Sequence, residues 1–463
     1  MQTERSETTN KKEEMQTDAR RKLLCDLVKK IYTSSFRNWP ILNLLKPEFI
    51  IQIRMVMVYG NEGNRALIVT RDKNVYNLDY NKDDHLKIND THIGLYPKKV
   101  KELCGKNIKT FTCNSAFVLA VTEEGEVYSW KFSEFELNNG SQIPIMQPTP
   151  TRVVFKKVCI VDIACGSYHS LALTSDSQVY AWGDNSYGQV GIHMPHYSYR
   201  IEYDQIPNKV DVPNLISGLK EKNVVSIACG SKFNMVVTDE GKLYGWGDNR
   251  NGQIDYKSVM NGSKLYKCYV HSIEINVNDK VIVKVACGFE HTLVLTDEGK
   301  VYAWGNNDKG QIGVNNNLSF SSVTMVDIPE LVSDIVAYGN FSVAIDNKKN
   351  IYVWGDCFGQ NISTPFLTGL STIHDACAYS KMRVMHKPLP VLYSDIEEIL
   401  NIYISLGLSF NVLGMAFDDP STSDCIIEVE GQRIHVHKAI LQIRWQYFEC
   451  LVQHDWTENK TVN

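Results

Sequence analysis

"ACGSYHSLALTSDSQVYAWGDNSYGQVG", residues 164–191, returns as "ACGSKFNMVVTDEGKLYGWGDNRNGQID" at 228–255 and as "ACGFEHTLVLTDEGKVYAWGNNDKGQIG" at 286–313. Cysteine and tryptophan keep one fixed spacing in all three copies, pairing Cys165 with Trp182, Cys229 with Trp246 and Cys287 with Trp304. Weaker copies hold the frame: Cys113 and Trp130 stand at the same spacing, and Tyr338 and Trp354 at one position less. A sixth unit, from Val58, has Leu78 where the others have tryptophan. A recurrence of this kind is the signature of a repeat architecture and takes precedence over any local motif.

Within a unit, "HSLALT" and "VYAW" alternate as half-buried strands do, and "TSDS" or "TDEG" between them is turn chemistry, so each unit contains a β-hairpin. The tryptophans recur at nearly even intervals along the chain with no long helical period between them, which requires radially arranged four-stranded sheets. The period makes Trp130, Trp182, Trp246, Trp304 and Trp354 core anchors. It also decides how the glycines are read. Gly183 and Gly188 have the spacing of a phosphate-binding loop, but Gln189 and Val190 follow where lysine and Ser/Thr are required. The same Gly-x-x-x-x-Gly-Gln recurs at Gly247 and Gly305, and one residue shorter at Gly355, so architecture explains it better than a nucleotide site.

The pattern resembles the regulator-of-chromosome-condensation repeat over about residues 40–388, and the resemblance implies an all-β fold, a seven-bladed β-propeller. Six cores are visible, and "HDACAYSKMRVMHKPL" after Leu370 reads as half of a seventh. "NWPILNLLKPEFIIQIRMVMV" near the start is expected to supply the missing strands, so that the chain ends complete the last blade and leave no open edge.

From Ser421 the texture changes. "SDCIIEVEGQRIHVHKAILQIRWQYFECLV" reads as a strand (425–429), a turn at Gly431, a second strand (433–437) and a helix with Ile440, Ile443, Tyr447, Phe448 and Leu451 on one face. Asp424, His437, Lys438 and Phe448 match the Asp…His-Lys…Phe pattern of the BTB/POZ domain, and nearly the whole chain resembles the proteins that join such a propeller to such a module. The expected organisation is a polar N-terminal tail (1–35), the propeller (36–388), a connecting helical segment (389–420) and a partial α/β BTB/POZ segment (421–463). A complete BTB/POZ domain takes roughly a hundred residues, more than twice the length of that segment, so the resemblance implies cullin docking only for a completed domain. With the module this short, a monomer is expected.

Composition narrows the function. The chain has 463 residues, a formal net charge of -5 and 12 cysteines without a C-x-x-C pair. No global positive field favours nucleic acid or membrane, and residues 1–30, with 8 Lys/Arg against 6 Asp/Glu, are no basic arm. The polar start and unpaired cysteines predict an intracellular protein, cytoplasmic or nuclear, with reduced thiols. The stretch from Ile399 to Phe417 carries no charge and approaches the length of a membrane span, but its asparagines, serines and acidic flanks favour a buried connecting helix or an interface segment.

The candidate sites divide into packing residues and exposed ones. His169 and His291 share one repeat position with Phe233, so they read as packing residues and not as catalytic ones. His193 with His196, and His435 with His437, lack cysteine or carboxylate at ligand spacing, and no metal site or cofactor is expected. No nucleophile, base and acid set has motif support, so no enzymatic activity is expected. Tyr197, Tyr199, Arg200 and Tyr203 crowd the insertion between Trp182 and Cys229, a composition typical of protein-recognition hot spots, although a loop packed on its own propeller is the simpler alternative. "DYKSVMNGSKLYKCYVHS", from Asp255, is a second candidate. Two functions follow from the resemblance. One is a non-enzymatic adaptor whose propeller captures a protein and whose BTB part, if completed, serves a cullin ubiquitin ligase, with cell-cycle or chromatin roles. The other is guanine nucleotide exchange on a small GTPase through the propeller face.

Overall fold

The structure, a computed structural model, describes residues 38–45, 47–50, 52–79, 97–114, 116–131, 149–192, 208–255, 268–315, 320–391, 425–429 and 432–436. The chain divides into two compact units, one of residues 55–86 and 97–389 and the other of 1–54, 87–96 and 390–463.

In the larger unit each repeat becomes one antiparallel sheet whose strands follow in chain order. The first sheet holds β1 (Ile53–Tyr59), β2 (Arg65–Thr70), β3 (Val75–Asp79) and β4 (Lys98–Lys99), and the second β5 (Ile108–Cys113), β6 (Phe117–Thr122), β7 (Val127–Lys131) and β8 (Thr151–Val153). The third holds β9 (Ile160–Cys165), β10 (His169–Thr174), β11 (Val179–Asp184) and β12 (Lys209–Leu215). The fourth is built from β13 (Val224–Cys229), β14 (Phe233–Thr238), β15 (Leu243–Asp248) and β16 (Cys268–Ile275). β17 (Ile282–Cys287), β18 (His291–Thr296), β19 (Val301–Asn306) and β20 (Phe320–Met325) make the fifth, and β21 (Val332–Tyr338), β22 (Phe341–Asp346), β23 (Ile351–Cys357) and β24 (Gln360–Leu367) the sixth. These are the blades of a propeller.

The core lies between blades. Leu171, Ala181, Ile216 and Leu219 of the third blade pack with Val236, Tyr244 and Trp246 of the fourth, and the fifth and sixth meet through Leu293, Ala303 and Ile312 against Ile335, Tyr352 and Trp354. Such burial is worth about 1.5–3 kcal/mol per large side chain and holds each sheet to its neighbour.

The two ends of the propeller stretch pair in one sheet, as expected from the sequence, but in the first blade and not in a seventh. Six blade sheets are present among the described residues, and the stretch read as half of a seventh instead forms a helix, Ile373–Ala378. The sequence contains the reason: Thr372 caps the helix by accepting from the Asp375 amide and donates to the Asp375 carboxylate at 2.7 Å, a Thr-x-x-Asp start signal. β1 opens its own blade and does not complete the last one. Closure comes from beyond the helix, where the Met385 amide donates to the Val58 carbonyl at 3.0 Å and β25 (Leu389–Pro390) extends the first sheet beside β1.

In the smaller unit Trp39, Leu42 and Leu45 are buried around a short 3-10 helix, Pro40–Leu44, and β26 (Cys425–Val429) pairs with β27 (Gln432–Val436), Cys425 opposite Val436. The helix face expected over residues 440–451 lies outside the described residues, as does the stretch from Ile399 to Phe417. Among the described residues no helix is long and apolar enough to cross a membrane.

Candidate protein-interaction face

The strands fix which loops share a face. His169 pairs with Gly183 and Asp184 with Lys209, so the turn between the first and second strands of a blade and the connection from third to fourth emerge together. The repeat glycines sit beneath this face because nothing larger fits. Gly183 has φ +111°, and a Cβ there would lie 2.5 Å from the Tyr168 carbonyl oxygen. Gly247, Gly305 and Gly355 make the same approach to Lys232, Glu290 and Asn340, which accounts for all four on steric grounds. Gly166 and Gly288 are packed under the rings of His169 and His291, and Gly230 under Phe233, which explains why histidine and phenylalanine exchange at that position.

The glycine loop keeps its amides for itself. Those of Asp184, Asn185, Ser186, Tyr187, Gly188, Val190 and Gly191 all donate to acceptors within the protein, Asn185 Oδ1 receiving Val190 and Gln189 Oε1 receiving Tyr187. A phosphate loop presents such amides to its ligand, and here they are already engaged. The Gln189 carbonyl faces the next blade, accepting from Trp246 Nε1 at 3.0 Å and from Asn234 Nδ2 at 2.8 Å. Gln311 repeats the arrangement with Trp354 Nε1 at 2.9 Å and Ser342 Oγ at 2.8 Å. Trp246, Trp304 and Trp354 are fully buried, and Trp130 and Trp182 nearly so.

The histidines complete these contacts. His169 Nε2 meets Asn234 Oδ1 at 2.7 Å and His291 Nε2 meets Ser342 Oγ at 2.9 Å, and burial pushes their pKa values down to about 4 and about 3. They are neutral packing groups at physiological pH. At the axis, burial likewise raises the thiol pKa values of Cys113, to about 12, and of Cys165 and Cys229, well above normal, so these sulfurs stay protonated. The described residues contain no group of three or more His, Cys, Asp or Glu placed to hold a metal ion.

What the loop face offers is aromatic, charged and open. Tyr187 is flanked by two cations, Lys232 Nζ at 4.5 Å and the Arg250 guanidinium at 4.4 Å from its ring centre. Arg250 is held by the buried Asp248, Nε to Oδ1 at 2.9 Å and a terminal nitrogen to Oδ2 at 2.8 Å, a hydrogen-bonded pairing that raises its pKa. Beside this cluster lies an open hollow of about 420 Å³ whose lining includes Tyr168, Phe289, Glu290, Asn306, Asp308 and Lys309. The sequence signal for these residues lay in the variable positions of the repeat, such as "NSYGQ", "GSKF", "NRNGQ" and "GFEH", where polar or aromatic residues change between fixed ones. The candidates that the sequence suggested, Tyr197, Tyr199, Arg200 and Tyr203, lie outside the described residues, as does most of the insertion after Asp255. The strands joined by the first insertion, β11 and β12, have their flanking ends on this face. Asp424, His437, Lys438 and Phe448 also lie outside the described residues.

A propeller built on this repeat defines a class, and comparison with known proteins agrees with it. Residues 160–189, 224–253 and 282–311, and in a second form of the same repeat 176–237 and 298–344, match the regulator of chromosome condensation (RCC1) repeat, while 413–463 match the BTB/POZ domain. The chain therefore carries RCC1 repeats followed by a stretch that matches the BTB/POZ domain. It is 31% identical to the human E3 ubiquitin-protein ligase HERC2 over 307 residues, covering 63% of this chain and 6% of HERC2. Likeness to the Arabidopsis thaliana ultraviolet-B receptor UVR8 is 30% over 262 residues, 56% of this chain and 55% of the receptor. The chain thus spans a small part of the ligase and about half of the receptor. Among solved structures, Prp20p of Saccharomyces cerevisiae superposes with a TM-score of 0.54 at 21% identity, covering 76% of this chain and 85% of that one. Human WBSCR16 gives 0.51 at 23%, covering 67% and 80%. At these identities the structures establish the fold alone.

Proposed function

We propose that this chain is a non-enzymatic protein-interaction adaptor that captures a protein partner on the loop face of its propeller and, through its BTB/POZ part when completed, links that partner to a cullin ubiquitin ligase in the cytoplasm or nucleus. The observation that carries the reading is the cluster of Tyr187, Lys232 and Arg250 beside the hollow lined by Tyr168 and Phe289, on a rigid scaffold whose repeat motif is occupied with holding blades together. Aromatic and arginine side chains at the centre of a patch supply most of the energy of protein recognition. Prp20p is described as binding Gsp1p and histones, and HERC2 is named a ubiquitin ligase, which supports the class of function without naming this chain's partner. The test is quantitative capture from cell extract with the full chain, with Tyr187→Ala/Lys232→Ala, and with Tyr197, Tyr199, Arg200 and Tyr203 all changed to alanine. Specific partners should fall at least tenfold with one or both variants while thermal unfolding stays unchanged. Undiminished capture by both would exclude this face. Guanine nucleotide exchange is the second reading, suggested by the family resemblance; acceleration of nucleotide release from a captured GTPase by the full chain would favour it over the adaptor.

A further inference from the structure

Equivalent blades allow charge to be compared position by position. The outer strand and following link of the first blade carry Lys98, Lys99, Lys101 and Lys106 against Glu102, and those of the second carry Arg152, Lys156 and Lys157 with no acid. Around the ring the balance falls away as far as the fifth blade. The third blade has Lys209, Lys220 and Lys222 against Asp211 and Glu221, the fourth Lys280 against Glu274 and Asp279, the fifth only Asp327 and Glu330, and the sixth Lys381, Arg383 and Lys387 against Asp375. Net charge thus runs +3, +3, +1, -1, -2 and +2 from the first blade to the sixth in a chain whose total is -5, so the first two blades carry the largest positive excess.

The two positive strips form one surface. The Glu126 carboxylate pairs with both Lys106, at 3.5 Å, and Arg152, at 3.0 Å, joining the link after the first blade to the outer strand of the second. Lys98, Lys99, Lys101, Lys156 and Lys157 are exposed and have no ion-pair partner among the described residues, whereas Lys209, Lys280 and Lys348 on later blades pair with Asp211, Glu298 and Glu330. Val154, 79% exposed, stands between Arg152 and Lys156 as an apolar contact point.

We propose that this rim of the first two blades, away from the loop face, is a second interaction surface that binds an acidic polypeptide segment containing apolar residues. Unpaired lysines on one edge attract a polyanion by complementarity, and the exposed valine suits a peptide side chain. A nucleic acid is disfavoured because the strip's aromatic residue, Phe155, is turned onto Tyr180 and Trp182 at 5.6 and 5.7 Å and offers no stacking face.

The test is fluorescence anisotropy of the full chain with a labelled peptide of ten glutamates and two leucines, and with an oligouridylate of equal charge. The expected results are peptide binding that weakens with salt, a loss of more than tenfold in Lys98→Glu/Lys99→Glu/Lys156→Glu/Lys157→Glu, and less than twofold change in Lys220→Glu/Lys300→Glu. The corresponding Lys→Gln variant is used if charge reversal unsettles the sheet, and should lose at least threefold. Equal peptide affinity in the rim variant and the wild type, or tighter binding of the oligouridylate than of the peptide, would overturn the proposal.

Discussion

The third to sixth blades and the junction that closes the ring are held together in different ways. Between the former, the amides of Ser167, Ser231 and Phe289 donate to the carbonyls of Ser231, Phe289 and Gly339 at 2.9, 3.0 and 2.7 Å, a chain of backbone bonds running from blade to blade around the axis. Tryptophan and glutamine add the contacts of Gln189 with Trp246 and of Gln311 with Trp354. At the second blade the repeat loses its glycine, and Asn114 substitutes for the backbone by donating to the Gly166 and Ser167 carbonyls. At the closure no repeat element remains, and residues 373–389 do the joining: Phe358 donates to Tyr379, Lys381 to Asp356 and Met385 to Val58. The repeat motif is thus a device for joining one blade to the next, and where it fades the chain improvises.

The largest way to break this picture is steric. Gly355→Val places a Cβ 2.1 Å from the Asn340 carbonyl at φ +92°, and should cost more than about 3 kcal/mol in denaturant unfolding or prevent folding. Gly359→Ala, at φ +74° with open space around it, should cost only about 1–2 kcal/mol, so equal losses at the two glycines would refute the close-approach explanation.

A subtler contrast separates two equally buried tryptophans. Trp246 Nε1 bonds the Gln189 carbonyl, whereas Trp304 Nε1 has no hydrogen-bond partner, so Trp246→Phe should destabilise by about 1 kcal/mol more than Trp304→Phe. Matching melting curves would mean that apolar packing alone holds these interfaces.

The smallest effect is one of pH. Burial holds the folded-state pKa of His291 at about 3, below its ordinary 6.5, so the unfolded chain takes up the proton first. The stability this group confers is complete above about pH 6.5 and is lost as pH falls toward 3. His291→Phe should therefore show a shallower decline of melting temperature between pH 6.5 and 4 than the wild type. An identical slope would show that the ring is solvated.

Much of this was legible in the sequence. The Cys-to-Trp spacing reveals every blade from the second to the fifth and Tyr338 with Trp354 the sixth, and the exchange of His169 and His291 with Phe233 marks a packing position before any ring is seen on its glycine. The place of the closure was not legible, because "TIHDACA" carries a helix cap that is weak beside the repeat it follows, and because a bond such as Met385 to Val58 joins residues 327 positions apart. The Tyr187 cluster was hidden for another reason. Tyr187, Lys232 and Arg250 come from three loops on two blades, and only the register of the sheets brings them together.

Native-state amide hydrogen exchange tests the central contrast most directly, since it reads each blade junction separately. The amides of Ser231 and Phe289 should exchange only through global unfolding, with the full unfolding free energy, and Met385 should exchange through a local opening at least tenfold faster. Protection of Met385 equal to that of Phe289 would contradict the account, because the improvised closure would then be as secure as the junctions that the repeat encodes.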